Sequence, residues 1–322
     1  MGFDQKKMKR KAIIISVSGK HLSRKEKNLI KKEKPWGLIL FKRNISTLNQ
    51  TKKLIKSIRS AIGDKKFPIL IDEEGGSVCR LENFFDNSPY SQKFFGDLYK
   101  KNKKFSISIY KNYIFSICSI FKNLGINVNT VPLLDVLTKN THKIIGNRSY
   151  SSHKNVIKAL GSLCAKIYKK NKIATVIKHI PGHGRASSDS HLTLPVVKDS
   201  YKKLRKLDFD CFRGVQSYFA MTAHILYKNI DNKNPATHSR VIIKDIVRNK
   251  IGFKGIIISD DISMKALKYD IVTNAKKSLE AGCNLALYCS GKYKDSSKLL
   301  KQMPLIDKFT LKKTSEFYKF LS

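Results

Sequence analysis

The sequence has few acidic residues for its length. Its 322 residues include 24 Asp and Glu against 64 Lys and Arg, which gives a formal net charge of +40. An excess of this size is typical of proteins that bind nucleic acid or an anionic membrane. The lysines, however, are scattered as short pairs over nearly every predicted helix and loop, and no basic arm or basic-aromatic module stands out. We therefore predict a solvated lysine surface and no nucleic-acid partner, with a basic nucleic-acid-binding protein as the alternative.

Long apolar runs and paired cysteines are also missing. No apolar stretch approaches the ~18 residues of a membrane-spanning helix. A basic segment at residues 6–11 precedes the apolar residues 12–17, as in a signal peptide, but the apolar part is too short and no small-residue cleavage site follows it. The six cysteines form no CxxC pair, which is typical of buried cysteines in a reducing compartment. We therefore expect a cytoplasmic protein without membrane association.

What the sequence does contain is a repeated unit, in which a short β-branched run is followed by a turn and a longer amphipathic segment. The predicted strands are Ile13–Val17, Gly37–Phe41, Pro68–Ile71, Ile126–Val131, Ile173–Ile177, Gln216–Met221, Gly255–Ser259 and Leu285–Tyr288. The predicted helices are Ser23–Glu33, Leu48–Ile62, Lys104–Leu124, Lys154–Asn171, Tyr201–Gly214, Ser239–Lys250, Thr273–Ala281, Tyr293–Met303 and Leu311–Leu321. Continuous apolar runs of this length are typical of strands that are buried on both faces of a parallel sheet.

About eight strand–helix units in a chain of this length predict an α/β fold, a single-domain TIM-like (β/α)8 barrel. A doubly wound sheet is the alternative, but no GxGxxG motif follows the first strand. No Pro-, Ser- or Gly-rich linker divides the chain. We therefore assign residues 1–322 to one barrel domain, with a final helix at about residues 305–321 packed on the outside.

Polar side chains follow five of the predicted strands. They are Asp72 with Arg80, Asp135 with Arg148, Lys178 with His179, His224, and Asp260 with Asp261. In a barrel of this kind the active site lies at the C-terminal ends of the strands. One acidic residue after a strand often only caps the next helix, but five such coincidences on one rim indicate a functional site.

The segment from Lys178 to Pro195 is rich in histidine and also contains Asp189. One hypothesis is a metal site built from His179, His183, Asp189 and His191. That spacing matches neither HExxH nor paired CxxC, and the proline and glycines of this segment would break a helix that could present two histidines on one face. We therefore predict no metal and no organic cofactor.

Carboxylates, cations and histidines without a glycine-rich phosphate loop suggest a hydroxyl-bearing ligand, and sugar chemistry is the natural candidate. Retaining glycoside hydrolysis needs a carboxylate nucleophile and a group that first donates a proton and then accepts one. Asp260, at a strand end, is placed as the fixed nucleophile. His191, oriented by Asp189 two residues earlier, is a candidate proton shuttle. A loop-borne acid/base is also free to move between the two steps.

Several segments carry a resemblance to a known family. They are GLILFKRN, IDEEGGSVCRL, NVNTVPLLDV, IIGNRSY, KHIPGHG with DSH, MTAHILY, GFKGIIISDDISM and AGCNLALYC, which together span most of the chain. In this order they resemble the glycoside hydrolase family 3 β-N-acetylhexosaminidases of bacteria, of the NagZ type that acts in peptidoglycan recycling. The combination of KHxPGHG, DSH and SDDxSM is highly specific for this family.

The resemblance implies a function and a set of roles. Asp260, the first aspartate of SDD, would be the nucleophile, and His191 the acid/base with Asp189 as its partner. The residues that would hold the N-acetylglucosamine hydroxyls and acetamido group are Asp72, Arg80, Arg148, Lys178 and His179. The implied enzyme is a monomeric, cofactor-free, retaining exo-β-N-acetylglucosaminidase, which cleaves N-acetylglucosamine from 1,6-anhydro-N-acetylmuramyl muropeptides in the cytoplasm.

Three positions depart from the family pattern. Glu73 stands where Gln is usual, Asn147 where Asp is usual and Ser77 where Arg is usual. We expect the loss of a carboxylate at Asn147 to loosen Arg148, and the added charge of Glu73 to shift neighbouring pKa values. A phosphorylase on the same fold and a degenerate sugar-binding barrel are the alternatives.

Overall fold

Eight parallel strands close into a barrel in the computed structural model, which describes residues 9–322. The strands are β1 (Lys11–Ile15), β2 (Pro35–Leu40), β3 (Ile69–Ile71), β4 (Val128–Asn129), β5 (Ala174–Ile180), β6 (Phe219–Thr222), β7 (Ile256–Asp261) and β8 (Leu285–Leu287). They neighbour one another in chain order, and β1 pairs with both β2 and β8. The predicted α/β barrel is confirmed. Part of the basic segment at residues 6–11 lies outside the described residues, and the one-domain assignment stays a prediction.

Helices surround the barrel. The α-helices are Arg24–Glu33, Leu48–Ile62, Gln92–Lys101, Lys103–Leu124, Lys154–Lys170, Tyr201–Leu204, Asp210–Phe212, Ile271–Ala281, Tyr293–Gln302 and Lys308–Phe320. Two π-helical stretches, Arg205–Phe209 and Ile242–Ile251, lie where the sequence predicted ordinary helix. A small parallel sheet of Val196–Val197 and Leu226–Tyr227 lies outside the barrel. Among the described residues, no helix has both the length and the apolar character needed to cross a bilayer.

The helix Gln92–Lys101 has no counterpart in the sequence prediction. Its N-cap is Ser91, whose side chain accepts a hydrogen bond from the Phe94 backbone. Gly96, a poor helix former, lies in its interior, and a Cβ atom there would stand 1.8 Å from the carbonyl oxygen of Tyr150. The glycine that weakens the helical pattern is therefore required by close packing against the segment that follows Arg148.

Alternate residues of each strand pack on opposite sides of the barrel wall. Ile13 and Ile15 belong to the core between strands and helices, whereas Ile14 belongs to the core inside the barrel. The final helix closes the end where the strands begin, because Phe317 packs 5.2 Å from Phe219, ring centre to ring centre. Burial of one such aromatic side chain contributes about 2–3 kcal/mol. The barrel is thus filled at that end, and its opposite rim is left for polar side chains.

Candidate active site

A cavity of about 250 Å³ lies at the rim where the strands end. Its lining includes Asp72, Arg80, Arg148, Lys178, His179, His191 and Asp260. Asp189 does not line the cavity and instead contacts His191. The carboxyl ends of parallel strands meet at one edge of the sheet, so the structure brings together side chains that are up to about 190 positions apart in the sequence.

Lys178 lies at the centre of a buried ion network. Its Nζ atom is 2.5 Å from Oδ1 of Asp72 and 2.5 Å from Oε1 of Glu74, and it also donates to the hydroxyl of Thr130 at 3.0 Å. The Lys178 side chain is 2% exposed. Charges this deeply buried are stable only when they are paired and hydrogen-bonded, and Lys178 has both kinds of partner.

Arg148 joins the same network through a bidentate ion pair with Glu74. Its Nε and Nη2 atoms each lie 2.8 Å from an oxygen of Glu74, whose side chain is fully buried. Burial alone would lower the pKa of Arg148, but the Glu74 carboxylate raises it above its ordinary value. Glu74 therefore orients both Arg148 and Lys178, although sequence reasoning gave it no role.

Asp72 is shared between two cations. Arg80 donates to its Oδ2 at 3.0 Å and Lys178 to its Oδ1 at 2.5 Å. Burial by itself raises the pKa of Asp72, but Lys178, Arg80 and Arg148 outweigh burial and hold that pKa well below its ordinary value. Asp72 is thus ionised at any pH near neutrality and keeps a free capacity to accept hydrogen bonds from ligand hydroxyls.

His179 is oriented by a residue that sequence reasoning placed on the rim without assigning it a role. Its Nδ1 atom lies 2.8 Å from Oδ2 of Asp135, which is fully buried. Burial raises the pKa of Asp135, but His179 and the backbone N–H of His183 bring it below its ordinary value. Because the carboxylate can only accept, His179 donates from Nδ1 and leaves Nε2 for the cavity.

Asp260 ends strand β7 and is the candidate nucleophile. The backbone N–H of Asp261 donates to its Oδ1 at 2.8 Å. Burial raises the pKa of Asp260, whereas His224, His179, the Asp261 N–H and Lys178 lower it, and the net result is a pKa below the ordinary value. Burial also lowers the pKa of His224, so that ring is neutral near pH 7. Because its pKa lies below the ordinary value, the Asp260 carboxylate is ionised at neutral pH.

The second aspartate of the pair has different contacts. The Asp261 side chain accepts from the backbone N–H of Ser263 at 3.1 Å and from its hydroxyl at 2.8 Å. It also accepts from the backbone N–H of Cys289 at 3.3 Å. These bonds hold the turn after β7, so the Asp261 side chain is occupied by the backbone and the hydroxyl of that turn.

The Asp189 and His191 pair lies on the loop after β5. Nδ1 of His191 is 2.9 Å from Oδ1 of Asp189, which also accepts from the His191 backbone N–H at 2.8 Å. Burial raises the pKa of Asp189, but the bonds to His191 outweigh burial and bring that pKa below its ordinary value. The His191 side chain is 58% exposed. With Nδ1 donating to the carboxylate, Nε2 is the nitrogen that can exchange a proton.

Two of the three residues that depart from the family pattern, Ser77 and Asn147, contact each other. The hydroxyl of Ser77 donates to Oδ1 of Asn147 at 3.0 Å, so a neutral pair occupies the place of two opposite charges. Arg148 is held by the buried Glu74 carboxylate, and the expectation that Asn147 loosens it stays a prediction.

Glu73 points away from the cavity. Its carboxylate accepts from the backbone N–H groups of Arg80 and Leu81 at 2.7 and 2.9 Å and from Asn87 at 2.7 Å. It is buried under the loop that carries Arg80, since neighbouring strand-end residues alternate in direction. Its charge therefore acts on that loop and faces away from the candidate nucleophile.

The histidines at the end of β5 and on the loop that follows it have separate hydrogen-bond partners. His179 contacts Asp135, His183 contacts Ser190 at 3.3 Å and His191 contacts Asp189. Within residues 9–322 no three His, Cys, Asp or Glu side chains are grouped so that they could hold a metal ion. The arrangement offers a fixed carboxylate, an exposed imidazole and a charged, hydrogen-bonding wall.

Comparisons with known proteins agree with this chemistry. Residues 6–312 match the model of the Glycosyl hydrolase family 3 N terminal domain. A β-hexosaminidase of Methylobacillus flagellatus is 30% identical over 285 residues, which are 86% of this chain and 80% of the relative. One of Haemophilus influenzae is 32% identical over 285 residues, which are 87% and 79% of the two chains.

Solved structures give the same result. NagZ from Neisseria gonorrhoeae in complex with N-trifluoroacetyl-D-glucosamine superposes with a TM-score of 0.86 at 26% identity, covering 98% of this chain and 90% of that one. The β-N-acetylglucosaminidase of Thermotoga maritima superposes with a TM-score of 0.77 at 27% identity, covering 96% and 66%. The chain therefore belongs to glycosyl hydrolase family 3, and it is a glycoside hydrolase related to the β-N-acetylhexosaminidases of the NagZ type.

Proposed function

We propose that this chain is a retaining exo-β-N-acetylglucosaminidase that releases N-acetylglucosamine from 1,6-anhydro-N-acetylmuramyl muropeptides. One observation carries the proposal: the carboxylate of Asp260 and the imidazole of His191 line the same small cavity. Retaining hydrolysis requires such a pair of groups on one sugar. The cavity of about 250 Å³ is smaller than the roughly 300–1,000 Å³ of pockets for drug-sized ligands, which suits a single sugar ring and hence release from a chain end.

In the proposed first step, a carboxylate oxygen of Asp260 bonds to the anomeric carbon as the bond from that carbon to the leaving oxygen breaks. His191 gives its Nε2 proton to the leaving oxygen. In the second step His191 takes a proton from water, the water oxygen bonds to the anomeric carbon, and the bond to Asp260 breaks. The sugar leaves with its original anomeric configuration, and both side chains return to their starting states. Asp189 orients His191 through both transfers.

The ion network is proposed to hold the sugar. Asp72 accepts from ring hydroxyls, Arg148 and Lys178 donate to hydroxyl or acetamido oxygens, and Arg80 and His179 close the ring of contacts. The Neisseria gonorrhoeae relative was solved with an N-acylated glucosamine, which supports N-acetylglucosamine as the sugar bound here. Muropeptide cleavage would place this chain in peptidoglycan recycling in the cytoplasm, and thereby in cell wall biogenesis.

The test is an assay of the purified chain on an aryl N-acetyl-β-glucosaminide and on a 1,6-anhydromuropeptide. We expect free N-acetylglucosamine as the product of both, released first as the β-anomer by NMR. A product phosphorylated at the anomeric carbon and a strict need for phosphate would indicate a phosphorylase instead. Sugar binding without turnover would indicate a degenerate barrel, and release of the α-anomer would contradict the proposal.

A further inference from the structure

The loop segment of residues 187–194 carries His191. In the described chain its hydrogen bonds to the rest of the molecule are made by one buried residue, Ser190. Ser190 is 4% exposed, whereas the side chain of the neighbouring His191 is 58% exposed. The Ser190 carbonyl accepts from the backbone N–H of Ala266 at 3.2 Å, and its hydroxyl lies 3.3 Å from Nε2 of His183. Within the described chain, the other hydrogen bonds of residues 187–194 stay inside that segment.

His183 is the fixed end of this contact. It is 2% exposed, and its backbone N–H donates to Oδ1 of Asp135 at 2.6 Å. Burial and the neighbouring imidazole of His179 lower the pKa of His183 to about 4, so the ring is neutral near pH 7. Its Nδ1 atom is buried and has no hydrogen-bond partner among residues 9–322. Ser190 is thus the ring's hydrogen-bonding contact in the described chain.

We propose that His183 is a positioning residue, which acts through Ser190 to hold the Asp189 and His191 pair at the mouth of the cavity that contains Asp260. The proposal rests on the proposed function, because it takes His191 as the acid/base. A neutral hydrogen bond of 3.3 Å is long and therefore weak. It favours one position of the segment without preventing its release between the two proton transfers.

His183 and Ser190 lie in the lining of the same cavity, but their contact shares no hydrogen bond with the ion network that is proposed to bind the sugar. Asp72, Lys178 and Arg148 are held by one another and by Glu74. Loss of the Ser190 hydroxyl leaves those bonds intact and removes only the bond to His183. The expected defect is therefore in proton transfer to the leaving group, and sugar binding is expected to persist.

The test compares Ser190→Ala with Ser187→Ala, a change of the same chemistry at an exposed residue of the same loop. Each is assayed on two aryl N-acetyl-β-glucosaminides, with phenyl and 2,4-dinitrophenyl leaving groups. We expect Ser190→Ala to lower kcat/KM by about three- to tenfold for the phenyl substrate, as expected for one lost hydrogen bond. The dinitrophenyl substrate needs no proton and is expected to change less than about twofold. Ser187→Ala is expected to match the parent on both.

A double-mutant cycle shows whether the effect passes through His191. In a His191→Ala background, Ser190→Ala is expected to cause no further loss, because the group that it positions is already gone. Ser190→Thr, which keeps the hydroxyl, is expected to retain activity on the phenyl substrate. If Ser190→Ala folds poorly, Ser190→Thr still tests the contact. A folded Ser190→Thr protein that has lost activity on the phenyl substrate would count against it.

Two other outcomes would overturn the inference, and they are distinguishable. Equal losses on both aryl substrates, or an additive loss in the His191→Ala background, would show that Ser190 supports the site in general. A His191→Ala protein that cleaves the phenyl substrate at the parent rate would instead overturn the acid/base role, and the positioning role with it.

Discussion

The candidate sugar-binding residues and the candidate acid/base lie on two very different parts of the rim. Lys178 and Glu74 follow or end strands and have side chains that are 2% and 0% exposed. His191 lies on a loop and its side chain is 58% exposed. Lys178 and Glu74 are held by one another and by residues at the ends of β3 and β4, whereas the loop pair is held mainly by bonds within its own segment.

This difference corresponds to two different tasks. A group that binds a sugar should keep one charge and one position, and the paired cations hold the pKa of Asp72 well below its ordinary value. A group that moves a proton must instead reach solvent and the leaving oxygen in turn. The rim therefore combines a rigid wall with a loop-borne proton carrier, and this division can be tested from both sides.

The largest expected effect is at the fixed carboxylate. Asp260→Asn removes the proposed nucleophile and is expected to lower kcat on aryl N-acetyl-β-glucosaminides by about 10⁴-fold or more. The matched control is Asp261→Asn at the next position, whose side chain contacts Ser263 and whose loss should cost about tenfold or less. Full activity in Asp260→Asn, or an equal loss of kcat in the two variants, would show that Asp260 is not the nucleophile.

The loop is tested next. His191→Ala is expected to lower kcat/KM by about 10²- to 10⁴-fold for a poor leaving group, the usual contribution of general acid catalysis. Substrates with good leaving groups should be largely spared at the glycosylation step. Steady-state and burst-phase kinetics on a series of aryl glycosides give the dependence on leaving-group pKa. A parallel loss across the whole series would mean that His191 binds the sugar and does not move a proton.

The rigid wall is tested by unfolding. Glu74→Gln leaves Lys178 and Arg148 without a shared buried carboxylate and is expected to lower the free energy of unfolding by about 3–5 kcal/mol. Asp97→Asn breaks exposed pairs with Lys93 and Lys100 and should cost about 1 kcal/mol or less. Urea denaturation of both variants measures the difference. Equal free energies of unfolding in Glu74→Gln and Asp97→Asn would show that the buried ion network does not stabilise this part of the rim.

Much of the fold was predictable because local signals agree with it. Most barrel strands contain a short apolar run that is buried on both faces, and Gly63, Gly125 and Gly252 end helices in the left-handed conformation. The helix Gln92–Lys101 was missed because a tertiary contact, and not helix propensity, selects its central glycine. Local pattern therefore predicted the elements, except where packing overrides it.

The positions of the site residues were predictable for a different reason, which is that all parallel strands end at one rim. The partners of those residues were not. Glu74 and Asp135 act on Arg148, Lys178 and His179 across neighbouring strands, and only the three-dimensional register determines which side chains meet. The neutral contact between residues 77 and 147 was missed in the same way.

The smallest expected effect is at Glu73, a buried carboxylate after β3 that pairs with no cationic side chain among residues 9–322. Burial raises its pKa to about 7 from 4.5, although Arg80, Asn87 and Leu81 donate to it. Its contribution to stability is complete below about pH 4.5 and is lost as the pH rises through 7, a change of about 3 kcal/mol.

In Glu73→Gln that loss is absent, and the new amide can donate to the Asn87 Oδ1 that has no partner in the described chain. Relative to the parent, the free energy of unfolding of Glu73→Gln should therefore rise by about 2–3 kcal/mol between pH 5 and pH 8. If urea denaturation shows that the stability difference between Glu73→Gln and the parent does not change with pH, Glu73 is ionised throughout this range. A buried carboxylate on this rim would then stay charged without a cationic partner.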